Sequence, residues 1–365
     1  MTPFDIAGHL LSVLLTVVLA FVPTVVHLTA PAPGQTGTAS ETEVAPIPPD
    51  TRTATGIFPA FSEAVRAQLR TNAGYQQAAV IAADAAPSPE SAVSSVEQAL
   101  VNIFCTAHSA EHSRTITGSG VFIDARGVIL TNAHIAQFLL LAEDASHTNV
   151  RCVIRQGSPA ISKYEAGLLY ISPEWIAKNA HQLNSEKPSG TGEYDFALLY
   201  VTDAFEGDMP SAFPSLAPAP ETALFRGVEV RAAGYPAEIL TADNLRAPLV
   251  PAVATTSITH LFTFESGTID LVAVAPSTVG KQGSSGGPVL ADDGSVLGII
   301  TTRGNIEEEG AQSVRALTLS YINRTLVKET GLTLARTLSG DIALRAEVFY
   351  ETVAPHLRVL LPNVL

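Results

Sequence analysis

The chain has 365 residues, a formal net charge of −14, 46% hydrophobic residues and 15% charged residues. That hydrophobic share is enough for a sizeable core, and the low charge fraction argues against a mainly disordered chain. No Lys/Arg cluster appears that would neutralise phosphates, which argues against a nucleic-acid partner, and an acidic balance serves solubility without identifying a substrate.

Ile6 to Val26 is a run of 21 residues without formal charge. At about 1.5 Å per helical residue it reaches roughly 30 Å, the thickness of a bilayer's hydrocarbon core. Residues 1–30 are read as an uncleaved signal-anchor, with a cleaved signal peptide as the competing reading. No Lys or Arg precedes the run, and a cut after Ala30 would leave Pro31 as the next residue. Either reading puts the bulk of the chain outside the cytoplasm, secreted or membrane-anchored through its N-terminus.

Residues 31–56 are rich in Pro, Thr, Ala and Gly and read as an extended linker. Phe58, Phe61, Val65 and Leu69 then recur at helical spacing, and a second helix is expected to start at Ser88 with Pro89 in its first turn. From about residue 100 to 305 the texture changes to short apolar runs broken by Gly, Pro, Asp and Ser, such as "VNIFCTA", "VRCVIRQ", "FALLYV" and "SVLGIITT". This pattern predicts an all-β barrel or sandwich, and its length suits two small barrels better than one. After Val314 the chain returns to helix. "SYINRTLVKETG" ends on Gly331 as a C′ glycine, and a further helix is expected over 341–361.

Within the strand-rich part, "GKQGSSGGPVL" (280–290) sets two serines among glycines. A serine hydroxyl is a poor nucleophile at neutral pH, so it needs a neighbouring base, and that base needs an orienting carboxylate. "GSGVFIDARGVILTNAHI" (118–135) reads as strand, tight turn at Gly127 and a second strand ending in His134. "GEYDFALLYV" (192–201) places Asp195 at the mouth of an apolar strand, with Asp203 and Asp144 as weaker substitutes.

These three blocks resemble the signature blocks of the chymotrypsin/trypsin-like serine proteases, closest to the bacterial HtrA-type branch, in that family's order of His, Asp and Ser. The resemblance implies two six-stranded antiparallel β-barrels over residues 100–305, flanked by a helical segment at 57–99 and a C-terminal helical extension at 306–365. It implies His134 and Asp195 on the first barrel, the serine on the second, and an active cleft between them. In the family pattern Gly-X-Ser-Gly-Gly-Pro the nucleophile is Ser285, with Ser284 at the variable position. The N–H groups of Gly283 and Ser285 would form the oxyanion hole, and Gly283 can take a backbone angle closed to other residues. The family order argues against an α/β-hydrolase, which "GSSGG" alone would also fit.

The same resemblance walls the primary pocket with residues near Val279 and Gly280 and with Thr301, Thr302 and Arg303, the last three pairing with the substrate backbone. A trypsin carries an acid where Val279 stands, so cleavage after Lys or Arg is not expected. Thr301 is expected to support Asp195 or the substrate backbone. Cys105 and Cys152 fall on the first and fourth strands, which meet where a barrel of this type closes, and a disulfide is expected. A faint metal-ligand look in "CTAHSAEH" lacks a fourth ligand, and no metal or cofactor is expected. Asn323-Arg324-Thr325 matches a glycosylation triplet but falls in an expected helix. Unlike most of the HtrA-type branch, the residues after the barrels read as helices, and no PDZ module is expected there. The function implied is serine endopeptidase acting on protein or peptide, and the alternatives are a protease-shaped peptide-binding module or an esterase.

Overall fold

The computed structural model describes residues 44–46, 58–77, 95–108, 113–142, 150–185, 190–237, 248–264, 267–303 and 313–362. The expected N-terminal membrane segment and the Ser88 helix start lie outside these. Among the described residues no helix is long and apolar enough to cross a membrane.

The first barrel consists of β2 (Leu100–His108), β3 (Ser113–Asp124), β4 (Val128–Thr131), β5 (Val150–Gln156), β6 (Ile161–Ile171) and β7 (Ala197–Ala204). These close in the order β2-β3-β4-β7-β6-β5. The second contains β8 (Glu229–Gly234), β9 (Ala252–Thr263), β10 (Leu271–Val274), β11 (Pro288–Leu290), β12 (Val296–Arg303) and β13 (Val314–Thr318). Its order is β9-β10-β13-β12-β11-β8, closed by a β8–β9 pairing. Two six-stranded antiparallel barrels are thus present. A short strand inside the expected linker, β1 (Val44–Pro46), adds to β9 in parallel.

Cys105 and Cys152 sit directly opposite each other on β2 and β5, where the first barrel closes, and they form a disulfide with sulfur atoms 2.07 Å apart. Gly127 makes the tight β3–β4 turn with φ +90°, a conformation glycine adopts without strain. One expectation needs correction: β4 ends at Thr131, and His134 lies in the first turn of a helix, Ala133–Ala142. The run "AHIAQFLLLA" is apolar on all sides, so it shows no helical period, and almost all of it is buried.

Helices pack around the two barrels, most of them on the first. They are α1 (Phe58–Thr71), α2 (Ala73–Gln77), α3 (Val96–Ala99), α4 (Ala133–Ala142), α5 (Pro173–Asn179), α6 (Leu319–Thr330), α7 (Leu334–Thr337), α8 (Ile342–Thr352) and α9 (Ala354–Arg358). Val65 and Leu69 of α1 are buried in the same core as Ile103, Phe122 and Leu130 of the barrel. Three arginines fasten the C-terminal helices. Arg126 donates to the carbonyls of Leu338 and Gly340, buried Arg345 to those of Thr337, Ser339 and Tyr75, and Arg358 to that of Leu140 on α4. The C-terminal extension therefore braces the barrel that carries His134. Asn323 accepts from the Leu334 N–H at 2.8 Å, so its amide is engaged within the fold.

Candidate active site

Asp195 sits in a tight turn before β7. Its N–H donates to the Gly192 carbonyl at 3.1 Å, and the Phe196 N–H donates to the Tyr194 carbonyl at 2.8 Å. Tyr194 adopts φ +61°, a left-handed conformation that costs energy in a non-glycine residue. It is held there by Tyr321 of α6, whose hydroxyl accepts the Tyr194 N–H at 3.2 Å, and by the Lys178 ammonium 4.6 Å above its ring.

The result is a buried carboxylate that accepts three hydrogen bonds. Asp195 Oδ1 accepts the His134 backbone N–H at 2.9 Å. Oδ2 accepts from His134 Nδ1 at 2.8 Å and from the Thr301 hydroxyl at 2.5 Å. An ionised carboxylate only accepts, so Nδ1 is the donor of this bond, and in the neutral imidazole that leaves the lone pair on Nε2. The Asn132 amide holds the Asp195 carbonyl at 2.9 Å, fixing the turn from the other side. His134 stays 31% exposed at its side chain while Asp195 is 5%, so the base reaches solvent and the acid does not. Asp203 is exposed at the end of β7 and Asp144 lies outside the described residues.

Thr301 reaches Asp195 because β12 carries a bulge. Ile300 pairs with Ala316 and Thr302 with Arg315, which leaves Thr301 without a register partner on β13. Such a bulge re-aims one side chain. Of the two expected roles for Thr301, the hydrogen bond realises support of the acid.

On the second barrel the two serines differ. Ser284 is fully buried under Gly234, and its hydroxyl meets no partner among the described residues. Ser285 is partly exposed. The backbone around them is pinned. The Gln282 carbonyl accepts the Ala237 N–H at 2.7 Å and the Ser284 carbonyl accepts the Gly287 N–H at 2.9 Å. In a trans peptide the C=O and N–H point in opposite directions, so the N–H groups of Gly283 and Ser285 face away from those partners. Neither makes a backbone hydrogen bond among the described residues. Gly283 has φ +96°, and a Cβ there would lie 2.5 Å from the Tyr235 carbonyl oxygen. A Cβ on Gly286 would lie 2.0 Å from the Ser119 carbonyl oxygen of the first barrel. The glycines are what let the two barrels meet at this loop.

The residues expected around the primary pocket divide. Val279 is fully buried in the second barrel's core with Val230, Ile258 and Val289, so its side chain presents no surface. Gly280 is buried beside Ser277, whose hydroxyl is buried without a partner among the described residues. Thr301 to Arg303 run beyond β11 with β13 as their paired strand; Thr302 is half-buried, and the Arg303 side chain lies outside the described residues. A separate groove between α8 and strands β5 to β7, lined by Arg151, Glu165, Tyr200 and Glu347 among others, contains none of these residues. Cys105 is spent in the disulfide, which removes it as a metal ligand. Sequence reading missed Ser119, Asn132 and Tyr321; only the "GSG" run around Ser119 gave any signal.

Two closed barrels, an Asp–His pair on one and a glycine-flanked serine on the other define the trypsin-like class of hydrolase folds. Residues 118–299 match the trypsin-like peptidase domain family, and this part of the chain is a trypsin-like peptidase domain. No curated protein matches the chain. The family implies protein or peptide substrates.

Proposed function

We propose that the chain is a serine endopeptidase in which Ser285, His134 and Asp195 act as a triad. Ser285 Oγ attacks the scissile carbonyl while His134 Nε2 takes its proton. The carbonyl oxygen becomes an oxyanion held by the N–H groups of Gly283 and Ser285. The C–N bond then breaks, with His134 giving the proton to the leaving amine, and an acyl-serine ester remains. Water, deprotonated by His134, hydrolyses the ester and returns the proton to Ser285.

The observation that carries this reading is the orientation of the loop. Both candidate oxyanion donors point away from Ala237 and Gly287, whose N–H groups hold the carbonyls of the same peptides, beside the one serine of the pair that is not buried. A peptide-binding module has no need of that arrangement, and the Asp195 carboxylate, bonded to His134 and Thr301, supports it further. Val279, with no acid at that place, supports cleavage after residues other than Lys or Arg. We propose residues 100–305 as the peptidase domain, and Thr302 and Arg303 as a strand for the substrate backbone. The disulfide favours an oxidising, extracytoplasmic setting, secreted or tethered through residues 1–30.

The test is labelling of the full-length protein with a fluorophosphonate probe, followed by peptide mapping. Labelling is expected at Ser285 and is expected to disappear in His134→Ala. Absence of label on folded wild-type protein, or label that survives in His134→Ala, contradicts the proposal.

A further inference from the structure

Every polar atom of Ser119 is hydrogen-bonded, and the hydroxyl and the N–H are committed across the seam between the barrels. Its hydroxyl donates to the Gly283 carbonyl at 2.7 Å and accepts the Tyr235 N–H at 2.8 Å. Its own N–H donates to the Ser285 carbonyl at 2.6 Å, and its carbonyl accepts from the Thr131 hydroxyl at 2.7 Å, three residues before His134. Ser119 is fully buried. Strand alternation explains how it gets there. On β3 the flanking Gly118 and Gly120 face the first barrel, where a Cβ would lie 2.7 Å from Ile135 and 2.7 Å from Ile129 respectively, and Ser119 faces the other way.

The consequence concerns the oxyanion loop. The peptide before Gly283 is fixed by Ala237, within the second barrel, but the peptide after it is fixed by Ser119, from the first. We infer that Ser119 is a positioning residue for the proposed reaction: its hydroxyl holds the Gly283–Ser284 peptide so that the Gly283 and Ser285 N–H groups converge. This rests on the reading of Ser285 as nucleophile. It also means that the barrel bearing the acid–base pair sets the geometry of the oxyanion site on its neighbour, so that the site is ready-formed in the chain itself.

Ser119 touches neither His134 nor Asp195 through a side-chain bond, so its removal is expected to act on the rate of the covalent step and not on the base. Displacing a preorganised donor without deleting it is expected to cost on the order of ten- to a hundredfold in rate. The test is the rate of fluorophosphonate labelling of the full-length chain over a range of probe concentrations and pH. In Ser119→Ala the limiting rate is expected to fall by that factor. The half-saturating probe concentration and the pH midpoint should stay within about threefold and a few tenths of a unit, since those report probe binding and the base. Ser119→Cys fills the same volume with a weak donor and guards against a packing defect; it is expected to fall in parallel. Wild-type labelling rates in either folded variant overturn the inference, as does a shift of the pH midpoint that accounts for the loss. Absence of labelling at Ser285 in the folded wild type would remove the underlying reading, and the inference with it.

Discussion

The two barrels share a strand count and differ in what holds them. The first is stapled by Cys105–Cys152 where its end strands meet, and its core runs on into α1, α4, α6 and α8 and across the interface to Leu290, Ile299 and Leu317. The second has its own core of Val, Leu, Ile and Ala side chains, such as Val230, Leu261 and Val289. The difference follows the parts each barrel supplies. The first carries a base and an acid whose side-chain geometry is fixed by packing and by α6, through Tyr321 behind Tyr194. The second carries a loop in which peptide orientation matters, and that loop takes one of its restraints from the first barrel through Ser119. In the proposed reaction, rigidity on one side of the cleft would therefore serve chemistry on the other.

Breaking the first barrel's staple is expected to have the larger effect on stability. Closing a loop of 47 residues contributes about 4 kcal/mol in the chain-entropy account. The Cys105→Ala/Cys152→Ala double variant is expected to lose roughly that much in urea unfolding. The labelling rate of its folded fraction should stay at the wild-type value, because no cysteine touches the site. Loss of labelling in a fully folded variant would show that the staple acts on the cleft as well.

A smaller effect sharpens the same contrast from the helical side. Glu329 of α6 is fully buried against the first barrel, accepting from the hydroxyls of Tyr170 and, at 3.0 Å, Ser172. Arg66 of α1 and Glu174 of α5 act on it electrostatically from the neighbouring helices. Burial pushes its carboxyl up to about 7 from an ordinary 4.5. Between those values the folded protein keeps a proton that the unfolded chain has lost. Stability should therefore fall as pH rises through that window and level off above it. Glu329→Gln removes the titration, so its Tm relative to wild type is expected to climb from about pH 4.5 to 7. Parallel Tm curves across that range would show that Glu329 is not the group responsible.

Much of this was legible in the sequence, for reasons that differ by element. The barrels followed from short apolar runs with turn signals, and Gly127, Gly283 and Gly331 announced backbone angles that other residues avoid. The proposed triad of His134, Asp195 and Ser285 could be picked out because the chemistry constrains residue type and chain order together. The helix after His134 was not, since an apolar run buried on all sides has no period to read. Nor was β1, whose three residues lie in a stretch with the composition of a linker. Ser119 and Glu329 stayed hidden for a common reason: a lone Ser between glycines, or a lone Glu on a helix, carries no mark of the long-range partners that give it a role.

The most direct measurement of the central claim is a crystal structure of the fluorophosphonate adduct. The account predicts the phosphonyl oxygen within about 3 Å of both the Gly283 and Ser285 nitrogens. The Gln282 carbonyl should remain on the Ala237 N–H and the Ser119 hydroxyl on the Gly283 carbonyl. An adduct whose oxygen points elsewhere, or a Gln282–Gly283 peptide turned over, would contradict it.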